Sequence, residues 1–186
     1  MKKLLLAILF LSSTLFASSF NIDPVHSKVS FKVKHLMITN VYGTFSKYNA
    51  TIDYDEGMKK VTTLIGNIEV ASINTENEKR DKDLRSSNFF DAKNFPIISF
   101  KLLSVDGDEA VGELTIKGVT KKVNFDFENN GTVVDPWGNT RLGLSLETKI
   151  SRKEFGIMYN KVLEAGGLVV ADKVKITVDI EAIKKK

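Results

Sequence analysis

Two histidines, His26 and His35, are the only imidazoles in the 186 residues, and cysteine is absent. A metal site drawn from one chain wants several His or Cys ligands at short spacing, which a gap of nine residues across one strand-like run does not offer. The missing cysteines also exclude disulfides, iron–sulfur clusters, thiol catalysis and lipid attachment at an N-terminal Cys. Ser151 lacks the G-x-S-x-G setting of a nucleophile elbow, and no Gly-rich phosphate loop follows a strand, Gly166-Gly167 reading as a turn. Carboxylates are plentiful but fall on polar faces and turns, with no pair placed for glycoside chemistry. The expectation is a protein without catalytic set, metal or cofactor. His26 and His35 read as polar side chains near strand ends, His35 being a candidate contact for a ligand's polar head.

With 42% hydrophobic and 27% charged residues the chain is expected to fold, and its length suits one domain. Lys and Arg number 27 against 23 Asp and Glu, but Lys2 and Lys3 belong to a leader, and without them the balance is 25 against 23. A net +2 carries no argument for nucleic acid. The leader has a basic start, an apolar run from Leu4 to Leu11, and small residues at Ala17, Ser18 and Ser19. That is the pattern of a cleaved signal peptide over residues 1–19, cut after Ala17 or after Ser19, and the run is too short for a membrane span. Residues 20–186 are then a single periplasmic or secreted domain with no permanent membrane anchor.

The rest of the chain must supply the elements that enclose whatever this protein binds. Residues 28–34 alternate polar and apolar without a fault, and the pattern recurs at 112–117, 122–128, 141–150 and 173–181. Residues 43–54, 61–73 and 97–105 are strand-like but less regular. Turn chemistry separates them at Asp55-Glu56-Gly57, Asp106-Gly107-Asp108, Lys117-Gly118, Asn129-Asn130-Gly131 and Asp135-Pro136-Trp137-Gly138. The expected class is all-β, an antiparallel meander of about eight strands closing into a barrel. Phe residues sit mid-strand and aromatic girdles are missing, so the apolar faces are expected to point inward and not at lipid.

Residues 75–87 break the pattern. They are densely charged, and Thr75-x-x-Glu78 fits a capping box, so a short helix is expected there. Its apolar residues are Leu84 and, beyond it, Phe89 and Phe90. Two readings stand: a solvated helix on a connection, or a lid pinned by those three side chains across one end of the barrel. Arg80 and Arg85 lie within reach of a phosphate or carboxylate head, with Arg80 expected to pair with Asp81, Asp83 or Glu78.

Phe20-Asn21-Ile22-Asp23-Pro24-Val25-His26-Ser27, with the strand to His35-Leu36 and Val41-Tyr42-Gly43-Thr44-Phe45, resembles the opening of the YceI-like family of exported polyisoprenoid-binding proteins. Arg80-Asp81-x-x-Leu84-Arg85-Ser86, Phe89-Phe90-Asp91 and the block from Phe95 to Phe100 continue it. So do the blocks from Gly112 to Lys121 and Ser151-Arg152-x-x-Phe155-Gly156-Ile157. Asp83 departs from it, standing where the family is expected to carry His, so any role of that His does not transfer. The resemblance implies a lipocalin-like eight-stranded antiparallel barrel around a long apolar cavity. It implies a long-chain amphiphile as ligand (polyisoprenoid, quinone-type or fatty-acid-like), no enzymatic activity, and a homodimer in many members.

The cavity face is expected to comprise Val29, Phe31, Val33, Phe45, Ile52, Leu64, Ile68, Phe100, Leu114, Phe125, Phe127, Leu144 and Leu146, with Phe89 and Phe90 from the lid and His35 and Arg85 as head-group contacts. Any one of the apolar residues could instead simply fill the core. Gly112 is expected to face inward with Leu114 and Ile116 and to tolerate a larger side chain there. Two other functions stay open: a barrel enzyme acting on a small apolar substrate, and a solidly packed barrel acting through its surface.

Overall fold

Strands with one apolar face must close on themselves or on a partner layer to keep that face from water. Here they close on themselves. The computed structural model describes residues 17–160 and 169–186, so the leader to residue 16 and the Gly166-Gly167 turn lie outside it. The strands are β1 (Ala17–Ile22), β2 (Lys28–His35), β3 (Thr39–Phe45), β4 (Tyr48–Asp55), β5 (Lys60–Glu69), β6 (Ile73–Asn74), β7 (Ile97–Asp106), β8 (Glu109–Ile116), β9 (Val119–Val134), β10 (Thr140–Ser151) and β11 (Val170–Lys184). One helix, α1 (Glu78–Arg85), lies between β6 and β7.

All pairings are antiparallel, and the ring runs β1, β4, β5, β7, β8, β9, β10, β11 and back to β1, where Phe20 faces Lys184 and Ile22 faces Ala182. These are the eight expected staves. β2 and β3 prolong β1 and β4, with β2 pairing along β11 from Val170 to Asp179 and β3 along β2. Three staves are interrupted: the first at residues 23–27, the second at 46 and 47, the third by a 3-10 turn at Val70–Ser72. At the first break the Tyr48 hydroxyl donates to the Ser27 carbonyl (2.6 Å) and the Ser27 hydroxyl to the Glu181 carbonyl (3.0 Å), so the freed groups stay satisfied.

Two sequence expectations change here. Asn129-Asn130-Gly131 is not a turn but a bulge inside β9: Leu144 faces Asn129 and Gly143 faces Gly131, leaving Asn130 unpaired, and Gly131 takes φ +74°. A glycine in the left-handed region absorbs the extra residue without ending the strand. Thr75 does not cap α1. Asn77 does, its side chain accepting from the Arg80 N–H at 3.0 Å, while the Thr75 hydroxyl and N–H both donate to Asp81. A buried carboxylate competes better for Thr75 than the first turn does.

The interior has two clusters. At the lower end Phe20, Ile52, Tyr54, Phe127, Leu142 and Leu144 form a solid floor. At the upper end, the end carrying α1, the Lys117-Gly118 turn and a second 3-10 turn at Arg152–Phe155, the cluster contains Val29, Phe45, Ile73, Phe89, Ile98, Ile116, Ile150 and Phe155. Among the described residues no helix is long and apolar enough to cross a membrane.

Candidate functional site: the apolar cavity

Above the floor the interior is hollow because two facing positions carry almost no side chain. Ala50 on β4 is paired with Gly66 on β5, and a Cβ built on Gly66 would meet only the Asn49 carbonyl oxygen, at 3.8 Å. The cavity has about 180 Å³ open to the centre of a water molecule. One water needs about 10–15 Å³ on that measure, so the space suits a ligand many times larger. A second depression, polar and open, lies among Glu109, Asp126, Glu147 and Lys149 on the outer surface.

Val29, Phe31, Val33, Phe45, Leu64 and Ile68 reach the cavity wall, as do Phe100, Leu114, Phe125 and Leu146. Leu84, in the last turn of α1, and Phe89 and Phe90, just after the helix, line it as well. Ile52, Phe127 and Leu144 do not: they are packed in the floor, because alternation identifies the inward face but not the depth along a stave. His35 is also off the wall, at the upper end of β2 opposite Thr39 and Val170. Arg85 is off it too, donating to the Ile73 carbonyl at 2.9 Å. Arg80 pairs with none of the expected carboxylates. Its Nε donates to the Thr75 hydroxyl (2.7 Å) and its NH2 to the Thr75 carbonyl (2.8 Å), tying the helix to the end of β6.

The segment between β6 and β7 is held by more than three apolar side chains. Phe90 meets Phe45 edge-on (centroids 6.3 Å apart), and Phe89 packs against Tyr159 at 4.7 Å. Lys117 Nζ donates to the Ser87 carbonyl (3.2 Å), and Phe95 covers Gly118 so closely that a Cβ there would lie 2.7 Å from its ring. Asp83 accepts from Ser86 and Asn88, stabilising the turn that follows α1.

Sequence reasoning missed Arg152. It is buried (4% exposed) yet lines the cavity, just beyond Ile150 at the end of β10. Its Nε donates to the Ala171 carbonyl (3.0 Å), NH1 to Ile157 (2.7 Å) and NH2 to Val170 (3.1 Å). Burial pulls its pKa down, and the Asp172 carboxylate works against that pull. Burial acts to raise Asp172 itself, but hydrogen bonds from Ser151 and the Lys153 N–H and the nearby positive charges outweigh it and leave the pKa lowered. The signal that could have found Arg152 is a charged residue set between Ile150 and Phe155, at the end of an unbroken inward alternation.

Another charged cluster stands at the first stave break. Asp23, His26 and Glu181 bring ligand-type atoms within 4.8 Å of one another, but Arg141 already takes up the carboxylates, donating to Asp23 at 2.9 Å and also to Glu181. With Asp135 bound to the same guanidinium at 2.7 Å, this is an ion-pair network that joins β1, β11 and the β9–β10 turn.

A closed eight-stranded antiparallel barrel with a filled floor and an apolar cavity under a helical segment defines a calyx-type binding fold. The YceI-like domain model matches residues 20–182, and the chain belongs to that family. A UPF0312 protein of Staphylococcus epidermidis is 36% identical over 169 residues, covering 88% of this chain and 96% of the relative. Among solved structures, the Campylobacter jejuni YceI protein superposes with a TM-score of 0.71 at 33% identity, over 82% of this chain and 90% of that one. A polyisoprenoid binding domain from Saccharophagus degradans shares the fold at a TM-score of 0.68 and 14% identity, over 90% of this chain and 99% of its own.

Proposed function

We propose that this protein binds and carries, or stores, a long-chain amphiphile with an isoprenoid or fatty-acid-like tail, and that it does so in the periplasm. The observation that carries the reading is the cavity wall, apolar almost throughout, with Arg152 as its cation. Each methylene moved from water to such a wall contributes about 0.8 kcal/mol, which lets a long tail offset the cost of ordering it. Arg152 gives an anionic or hydrogen-bond-accepting head a partner where the tail's path ends. The Saccharophagus neighbour, a polyisoprenoid binding domain, supports the same class of ligand.

Binding is favoured over catalysis because the ionisable groups on the wall are already engaged. Tyr48 donates to Ser27 and Asp179 accepts from Ser145, while Arg152 gives three of its five N–H groups to carbonyls and keeps two for a head group. Export is supported by Lys2-Lys3, the apolar run and the small residues that follow. The test is mass spectrometry of an organic extract from protein purified without denaturation, followed by titration of the stripped protein with a polyprenyl alcohol. Co-purified lipid and saturable binding are expected. An empty extract together with no binding would falsify the reading.

A further inference from the structure

The hairpin joining β2 to β3 turns where the backbone is least comfortable. His35 accepts the Ile38 N–H at 3.2 Å, and the two residues between them, Leu36 and Met37, have φ of 50° and 63°. Both central positions of such a turn are left-handed, which is why Asn-Gly is the usual occupant and why large apolar residues there are strained. The sequence nevertheless keeps Leu36 and Met37 in place and follows them with Ile38. Met37 is 54% exposed, Ile38 81%, and Tyr42, further along β3 on its outer face, 64%. Apolar side chains held at a conformational cost and turned to water mark a contact surface.

The charge beside this tip is mostly positive, with more lysines than carboxylates to pair them. Lys32 and Lys34 point outward from β2, and Lys32 sits directly opposite Lys175 of β11, a like-charge cross-strand pair that costs stability. Glu147 pairs with Lys175 and Ser151 binds Asp172, while Lys32, Lys34 and Lys173 have no carboxylate within 4.0 Å among the described residues. An apolar tip with a lysine collar matches one partner chemistry: the surface of an anionic lipid bilayer, whose acyl boundary takes the tip and whose head groups take the collar. We infer that the β2–β3 hairpin docks this barrel reversibly on an anionic membrane surface. The hairpin lies at the upper end, where Val33 and Val170 beside it line the cavity, so docking brings the hollow half of the barrel to the bilayer. The inference stands whichever ligand fills the cavity.

The experiment is flotation of the purified protein with vesicles of phosphatidylcholine alone and of phosphatidylcholine mixed with phosphatidylglycerol. Binding to the mixed vesicles only, weakened by added salt, is expected. Met37→Gly should weaken it about tenfold through the lost apolar side chain. The same variant should keep or raise the thermal midpoint, because glycine suits the left-handed position, so lost docking is not lost folding. Lys34→Ala should cost about fivefold. Failure of the parent protein to float with the mixed vesicles overturns the inference, as does flotation that Met37→Gly leaves unchanged. A parent that ignores vesicles but self-associates, with Met37→Gly monomeric, assigns the tip to a second copy of this chain and overturns it equally.

Discussion

Phe100 lies over Gly112 so closely that a Cβ on the glycine would sit 2.2 Å from a ring carbon. Gly112 does face inward, but it is the seat of an aromatic ring and not spare room. Substituting Leu at this position should therefore overpack the barrel and cost about 1–3 kcal/mol in the denaturant midpoint. The position with room is Gly66. Gly66→Leu should keep the midpoint near the parent's and shorten the longest lipid chain that binds, read by titrating a homologous series. Unchanged chain-length preference in the folded variant would mean that the cavity beside Ala50 is not where the tail lies.

Arg152→Met removes the donor that three backbone carbonyls share. Leaving carbonyls unpaired beside an apolar wall should cost about 2–4 kcal/mol in chemical denaturation. Arg152→Lys keeps the charge without the planar fork and should recover only part of that stability. In the parent protein a fatty acid should bind more tightly than the alcohol of equal chain length. Equal affinities would remove Arg152 from head-group recognition while leaving tail binding intact.

Phe89 is buried between the cavity and Tyr159, whereas Phe90 is half-buried against Phe45. Phe89→Ala should lose about 3–5 kcal/mol of stability, as large-to-small changes in packed sites do. Phe90→Ala should lose less and should speed lipid release more than its change in midpoint explains. Stopped-flow release against denaturant midpoint separates the two, and a release rate unchanged in folded Phe90→Ala would reduce the segment to plain wall.

Asp23 has its carboxyl pKa lowered to about 2, chiefly by the hydrogen bond with His26, with partial burial opposing and the Val25 N–H and Arg141 adding to the effect. Its folded pKa is below its unfolded one, so the stability it contributes is complete above the unfolded value near 4 and is lost as pH falls toward 2. Thermal midpoints should drop through that window in the parent and drop less steeply in Asp23→Asn. Parallel pH profiles would show that the Arg141 network gains nothing from this charge.

If the leader is removed, the cut after Ala17 is the one the barrel favours. Ser19 receives the Lys185 N–H on its carbonyl (2.8 Å) and donates its hydroxyl to Asp53, and Ser18 is in register with Tyr54. Intact-mass analysis of the protein made in its own cell should then find Ser18 at its start. A chain beginning at Phe20 would mean that β1 closes the barrel without these bonds.

Much of the architecture was legible from period two alone. Residues 28–34 alternate without a fault and residues 141–150 break the pattern only at the buried Thr148, and they became β2 and β10 within two residues at each end. What failed were places where one residue's conformation or depth decides. Gly131 in the left-handed region turned an expected loop into a bulge, and Asp81 drew Thr75 away from the cap it resembled. Ile52, Phe127 and Leu144 have the same inward pattern as Leu64, Phe125 and Leu146, but only their height along the barrel separates floor from wall. Arg152 was hidden because a lone Arg after a strand looks like the start of a surface loop until the chain on either side folds over it.

The solid floor also bears on how the molecule breathes. Amides in the lower parts of β10 and β11, opposite Leu142 and Leu144, are backed by the packed floor and should exchange only when the whole chain unfolds. The upper parts of β2, β3 and β5 border empty space, and β3 has β6 beside it only at Thr44 and Phe45. Their amides should exchange with solvent through small local openings while the floor stays closed. A tail entering the cavity would fill the space those openings depend on. Hydrogen exchange would then slow around the cavity and stay unchanged in the floor, giving a direct map of ligand occupancy that needs no knowledge of what the ligand is.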